Sequence, residues 1–179
     1  MDMHIQQSEL ILERLEQQDK DLDNQSEIAE AITFLADYWF KNFKSLGMKG
    51  VEDAPDWLSF ELKIWELGEL LRLFLIIKKN WRGKNVILDA VEKILKEKKY
   101  GKGRQTFALL LGDFGKGEYG EALGSVLDQA DVYGHAIDSL LKAKIGNFIE
   151  EIKKISEIEK GWIRKSAKKY LKQFSPTSS

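Results

Sequence analysis

The sequence predicts an all-α fold: antiparallel helix pairs stacked into an α-solenoid, preceded by a less regular helical part. Three observations carry this. The 179-residue chain has only two prolines, Pro55 and Pro176, which favours long uninterrupted helices over many short strands. Apolar residues recur at spacings of three and four, the period of a helix face. In the second half, a helical apolar pattern returns at intervals near 30 residues.

The elements follow in order. Residues 5–20 read as a helix with Ile5, Leu12 and Leu15 on one side, broken by DKDLDNQ at 19–25. Asn24 with Glu27 three residues on has the form of a capping box and opens a second helix that runs through Phe43. Its apolar side is Ile28, Ile32, Leu35, Trp39 and Phe43. LGMKGVEDAP, 46–55, is a loop, and Asp53 followed by Pro55 signals the next helix start. That helix, 56–80, is apolar most of the way round (Trp57, Phe60, Ile64, Leu67, Leu71, Phe74), so it is expected to be the spine of the core. WRGKN, 81–85, is a turn, and 85–98 is an amphipathic helix with Ile87, Val91, Ile94 and Leu95 inward.

The repeat then takes over. GRQTFALLLG (103–112), YGHAIDSLLK (133–142) and IRKSAKKYLK (163–172) align at 30-residue steps. Leu111, Leu141 and Leu171 correspond, as do Leu110, Leu140 and Tyr170, then Phe107, Ile137 and Ala167, then Gly103, Tyr133 and Ile163. Between them, Tyr119, Leu123 and Val126 match Phe148, Ile152 and Ile155 at a step of 29. Each unit is therefore helix, turn, helix. A helix pair cannot hide its apolar side alone and stacks on its neighbours, which is the logic of a solenoid. The expected organisation is one helical domain over 1–174, with 1–83 irregular and 84–174 repeated, and a disordered tail at 175–179.

Composition bounds the chemistry. At 43% hydrophobic and 32% charged residues the chain is ordinary for a globular protein, and the absence of cysteine excludes disulfides, Cys-ligated zinc and thiol catalysis. The first residues lack the basic-then-apolar pattern of a secretory signal, and the longest apolar stretch, 71–77, is too short for a spanning helix, so a cytoplasmic, non-membrane protein is expected. His4 and His135 are far apart and share no metal-binding motif, so no metal and no cofactor is expected. GKGRQ (101–105) and GDFGKGEYG (112–120) are glycine-rich, but neither has a phosphate-loop ending. They read as loops in which glycine supplies positive φ. With no reactive constellation, the chain is not expected to be an enzyme. Most of the five tryptophans sit at core spacing, and Trp57 and Trp81, at helix ends, are expected to be the partly exposed ones.

Charge is divided along the chain. Residues 1–79 hold 16 acidic and 9 basic side chains, whereas 80–179 hold 13 and 19. The halves nearly cancel to a net charge of −1. Such a split suggests two surfaces of opposite sign.

The last unit carries a resemblance. Trp162, Ile163, Arg164, Ser166, Ala167 and Leu171 follow the habit of a HEAT repeat's second helix: an aromatic or aliphatic residue, Val or Ile with Arg, a small residue, then Ala-x-x-x-Leu. The resemblance spans about 84–174, and Gly134 and His135 depart from it where Arg164 and Lys165 stand. It places Lys165, Lys168, Lys169 and Lys172 on the outer face of a terminal repeat. A small HEAT-like chain of this kind also resembles immunity proteins of bacterial toxin systems. That implies a cytoplasmic binder of a cognate protein toxin, often a nuclease domain, held with its active site occluded. An acidic surface suits a basic nuclease site, and the candidate contacts are Glu27, Glu30, Asp37, Glu52, Asp53 and Asp56. The alternatives are a scaffold or a HEAT-like nucleic-acid binder using Lys98, Lys99, Lys102 and Arg104 around Tyr100. A sequence pI near 6.2 argues against the latter.

Overall fold

The computed structural model describes residues 3–46, 60–78, 81 and 84–175. Within them the chain is all-helical: α1 Met3–Glu16, α2 Gln25–Leu46, α3 Phe60–Ile77, α4 Asn85–Lys96, α5 Gln105–Phe114, α6 Gly120–Gly124, α7 Tyr133–Ala143, α8 Ile149–Ile158 and α9 Gly161–Phe174. A 3-10 segment, Lys98–Arg104, joins α4 to α5 and is kinked at Gly101 (φ 50°). No strand occurs among the described residues. The expected loop at 46–55, the helix start at Asp53 and Pro55, and Trp57 lie outside the described residues but for Leu46, which closes α2.

The helices touch in a regular order. α3 packs on α5, α5 on α7, and α7 on α9; α2 packs on α4, and α4 on α6. Neighbours in sequence also pair, α2 with α3, α4 with α5, α6 with α7 and α8 with α9. A continuous apolar core runs through all of them, from Ile11 to Tyr170.

Burial follows the 30-residue alignment at two of its four sets of positions; Leu141 and Leu171 are half-buried where Leu111 is buried, and Ile163 is half-buried where Gly103 and Tyr133 are buried. Leu110, Leu140 and Tyr170 are each fully buried, as are Phe107, Ile137 and Ala167. Tyr119 and Phe148 both stand one residue before the helix they were matched on, α6 and α8. Several boundaries differ from expectation. Gly103 falls in the 3-10 segment rather than in α5, and α6 has only five residues. The first helix ends at Glu16, not residue 20. There the Arg14 guanidinium turns to Asp19, 2.6 Å away, and Gln18 takes a positive φ of 52°.

Close approach explains two glycines inside helices, Gly112, which the sequence placed in a loop, and Gly68. Gly112 lies inside α5 and faces Ser139 of α7 so closely that a Cβ would stand 2.6 Å from the Ser139 Cβ. Gly68 of α3 meets Thr106 of α5 in the same way. The hydroxyls at these crossings donate to the backbone of the preceding helix: Thr106 Oγ1 to Trp65 O at 3.0 Å, and Ser139 Oγ to Ala108 O at 2.8 Å. Gly101 and Gly117 do carry positive φ.

Candidate functional site

A groove of about 1070 Å³ lies between α2 and α4. Its origin is the second stripe of α2. Ile28, Ile32 and Leu35 face the core, which leaves Glu30, Thr33, Phe34, Asp37, Tyr38 and Lys41 on the adjoining side, again at spacings of three and four. α4 supplies the opposite wall with Val86, Asp89, Lys93 and Glu97. Ile5 of α1 and Lys99 and Tyr100 of the 3-10 segment complete the lining.

The surface of the groove is aromatic. Phe34 and Tyr38, one helical turn apart, stack with ring centroids 6.0 Å apart and planes only 10° off parallel. Tyr100 is buried beside Phe40, edge to face at 6.0 Å, and burial pushes its hydroxyl pKa up. The rim alternates in sign. The Asp37 carboxylate lies 2.5 Å from Lys41 and 2.8 Å from Lys99. Hydrogen bonds from these two ammonium groups hold its pKa below the usual carboxylate value. The same pair ties the 3-10 segment to α2, and the Lys99 ammonium also sits 5.0 Å from the centre of the Tyr100 ring. Asp89 accepts a 2.8 Å hydrogen bond from the Tyr119 hydroxyl, whose pKa is raised by burial and by that carboxylate.

The predicted contacts separate. Glu30 and Asp37 line the groove, Glu30 exposed and Asp37 neutralised by its two lysines. Glu27 is half-buried in the first turn of α2, outside the lining, where its backbone N–H donates to Asn24 Oδ1 at 3.3 Å as the capping box requires. Glu52, Asp53 and Asp56 lie outside the described residues. Sequence reasoning missed Phe34, Tyr38 and Tyr100. The signal was present as the run Glu30, Phe34, Tyr38 at spacings of four, one stripe over from the core face.

The basic cluster proposed around Tyr100 does not assemble. Arg104 is only 2% exposed and spends its donors on Gly101 O, Leu95 O and Gln129 Oε1. Lys99 is paired, which leaves Lys98 and Lys102 exposed. His135 is half-buried between α7 and α9 with its ring 5.2 Å from Trp162, and burial lowers its pKa. Trp81 is half-buried on Phe74, whereas the more exposed tryptophans are Trp65 and Trp162, at 37% and 48%. Trp162 lies on α9, the last of the described helices. Among the described residues no three His, Asp or Glu side chains converge to hold a metal ion, and no helix is long and apolar enough to cross a membrane.

No protein-family model, curated protein or solved structure matches this chain.

Proposed function

We propose that the chain is a HEAT-like α-solenoid that binds another protein without catalysing a reaction, and that the α2–α4 groove takes a segment of that partner. The serial contacts α3–α5–α7–α9 and the full burial of two aligned triads, Leu110, Leu140, Tyr170 and Phe107, Ile137, Ala167, support the solenoid. The observation that carries the binding reading is the groove itself: an aromatic stack rimmed by charges of both signs, Glu30, Asp89 and Glu97 with Lys41, Lys93 and Lys99. Partly exposed aromatic rings in a concave site provide large contact area at low entropic cost, the composition of binding hot spots.

The partner fitting the charge is a basic protein domain. Exposed carboxylates crowd the first two helices and their connection, with Glu9, Glu13, Glu16, Asp21, Asp23 and Glu30 all at the surface. A cytoplasmic immunity protein that occludes a toxin's nuclease site is the reading we adopt, since a nuclease site is basic and an acidic surface both steers encounter and competes with phosphate.

Co-expression with the C-terminal domain of any toxin-like protein encoded beside this chain, scored for growth rescue and co-purification, tests it. The wild type is expected to rescue and to co-purify. Tyr38→Ala and Glu30→Lys, both at the surface of the groove, are expected to weaken the complex at least about tenfold while leaving thermal stability within about 1 kcal/mol of wild type. Absence of both rescue and complex would end the immunity reading. Undiminished binding by the groove variants would place the contact elsewhere.

A further inference from the structure

The two terminal helices carry opposite and unpaired charge on their outer faces. α1 packs on α2 and α3, and its buried residues Ser8, Ile11 and Leu15 define the inner side. Glu9, Glu13 and Glu16 therefore run along the other side at steps of four and three, all exposed. The one cation in that helix, Arg14, is drawn off to Asp19 at 2.6 Å, so the outer stripe keeps only carboxylates. At the far end α9 packs on α7 and α8 through Ala167 and Tyr170. Lys165, Lys168, Lys169 and Lys172 stand on its opposite side, again spaced by three and four and all exposed. No ion pair within the described residues engages any of these seven groups.

We infer that the α1 face of one copy docks against the α9 face of another, so that the chain associates head to tail. The lysines at 165, 168, 169 and 172 contain a four-three step in either direction along α9. The glutamates at 9, 13 and 16 consequently meet lysines whether the helices run parallel (165, 169, 172) or antiparallel (172, 168, 165). A solvated end cap needs polar residues but not one sign of charge. α8, beside α9, mixes Glu150, Glu151, Lys153, Lys154 and Glu157, whereas α9 has five basic residues and no acidic one. Apolar side chains accompany both faces: Met3 and Leu10 are 79% and 55% exposed on α1, and Ile158 and Trp162 are 73% and 48% exposed at the other end. The net charge of −1 means that whole copies do not repel while their ends attract. The contact joins unlike surfaces, so it extends into chains wherever the rotation between copies does not close a ring.

Sedimentation velocity on the full chain tests this, from micromolar concentrations up to about 0.5 mM, where a weak contact becomes populated. In about 50 mM salt the average mass is expected to climb with concentration past twice the monomer's 20.6 kDa, without a plateau. In about 500 mM salt, where the Debye length is only a few Å, it is expected to return to the monomer. A Lys165→Glu, Lys168→Glu, Lys169→Glu, Lys172→Glu variant and a Glu9→Lys, Glu13→Lys, Glu16→Lys variant should each be monomeric alone, with the wild-type circular dichroism spectrum. Mixed together they should associate again, because each supplies the end the other lacks. A wild type that stays monomeric at low salt, a plateau at dimer that the variants leave intact, or a mixture that fails to recover association overturns the inference. So does a monomeric wild type whose lysines instead retain it on a DNA column, which would assign α9 to nucleic acid.

Discussion

Arg104 is the residue on which the junction between α4 and the repeat depends. Its guanidinium is buried, and it donates to the carbonyls of Leu95, at 3.1 Å, and Gly101, at 2.9 Å, and to the Gln129 side chain at 2.6 Å. These bonds satisfy a free carbonyl at the end of α4 and hold the kinked 3-10 segment that carries Lys99 and Tyr100 into the groove. Burial lowers the Arg104 pKa, while the nearby charges of Asp131, Glu61 and Asp128 act in the opposite sense. Truncating a buried, hydrogen-bonded cation leaves several acceptors without partners. Arg104→Met is expected to cost about 3 kcal/mol or more, read as a lower urea midpoint at unchanged slope. Arg104→Lys is not expected to restore it, since an ammonium cannot span three acceptors arranged for a planar fork. A loss under about 1 kcal/mol would show that the junction holds without the guanidinium. From sequence alone Arg104 looked like a surface cation beside an aromatic. Nothing in the order GKGR reports that the chain folds back so that the side chain points inward.

At the scale of elements, the register of helix against helix rests on small residues. The crossing of α5 and α7 puts Gly112 against the Ser139 backbone, and the Ser139 hydroxyl bonds across it to Ala108 O. A methyl at position 112 would lie 2.7 Å from the Ser139 Cα, a distance only a shift of the whole helix can relieve. Gly112→Ala should therefore destabilise by about 1–3 kcal/mol, in spite of alanine's better helix propensity. A thermal melt that moves upward would refute the tight crossing. The ion pairs on the same helices follow from this register. Asp113, one residue on, is reached by Arg72 of α3 at 2.7 Å and by Lys142 of α7, so one carboxylate links three helices. The helices themselves were legible because burial repeats at 3.6 residues: the boundaries of α7 and α9 agree with the aligned repeats within a few residues. The five-residue α6 was not legible, because Tyr119, Leu123 and Val126 keep the apolar spacing beyond the point where the helix stops.

At the scale of the whole molecule, serial packing has a consequence for stability. If α3, α5, α7 and α9 are stacked units, each held chiefly by its neighbours, protection should fall toward the ends. Native-state hydrogen exchange is expected to be slowest in α5 and α7, where the fully buried Phe107, Leu110, Ile137 and Leu140 lie, and faster in α1 and α9. Uniform protection across all helices, with a single cooperative opening, would argue for one indivisible core and against the solenoid reading. The charge division belongs to this scale as well. Part of each half's excess stands on the outer faces of α1 and α9, as Glu9, Glu13 and Glu16 and as Lys165, Lys168, Lys169 and Lys172.

The sequence by itself determined the all-helical class, the inward face of each repeat helix and the sign of charge at each end of the chain. These depend on spacing along a single helix, and a helix's period is set by its own backbone. The tertiary structure alone decided that the unused stripe of α2 would face α4 across a groove, that Asp37 would be neutralised by a lysine 62 residues away, and that Arg104 would be buried. Each of these depends on which helix faces which and at what distance, and no local period records that.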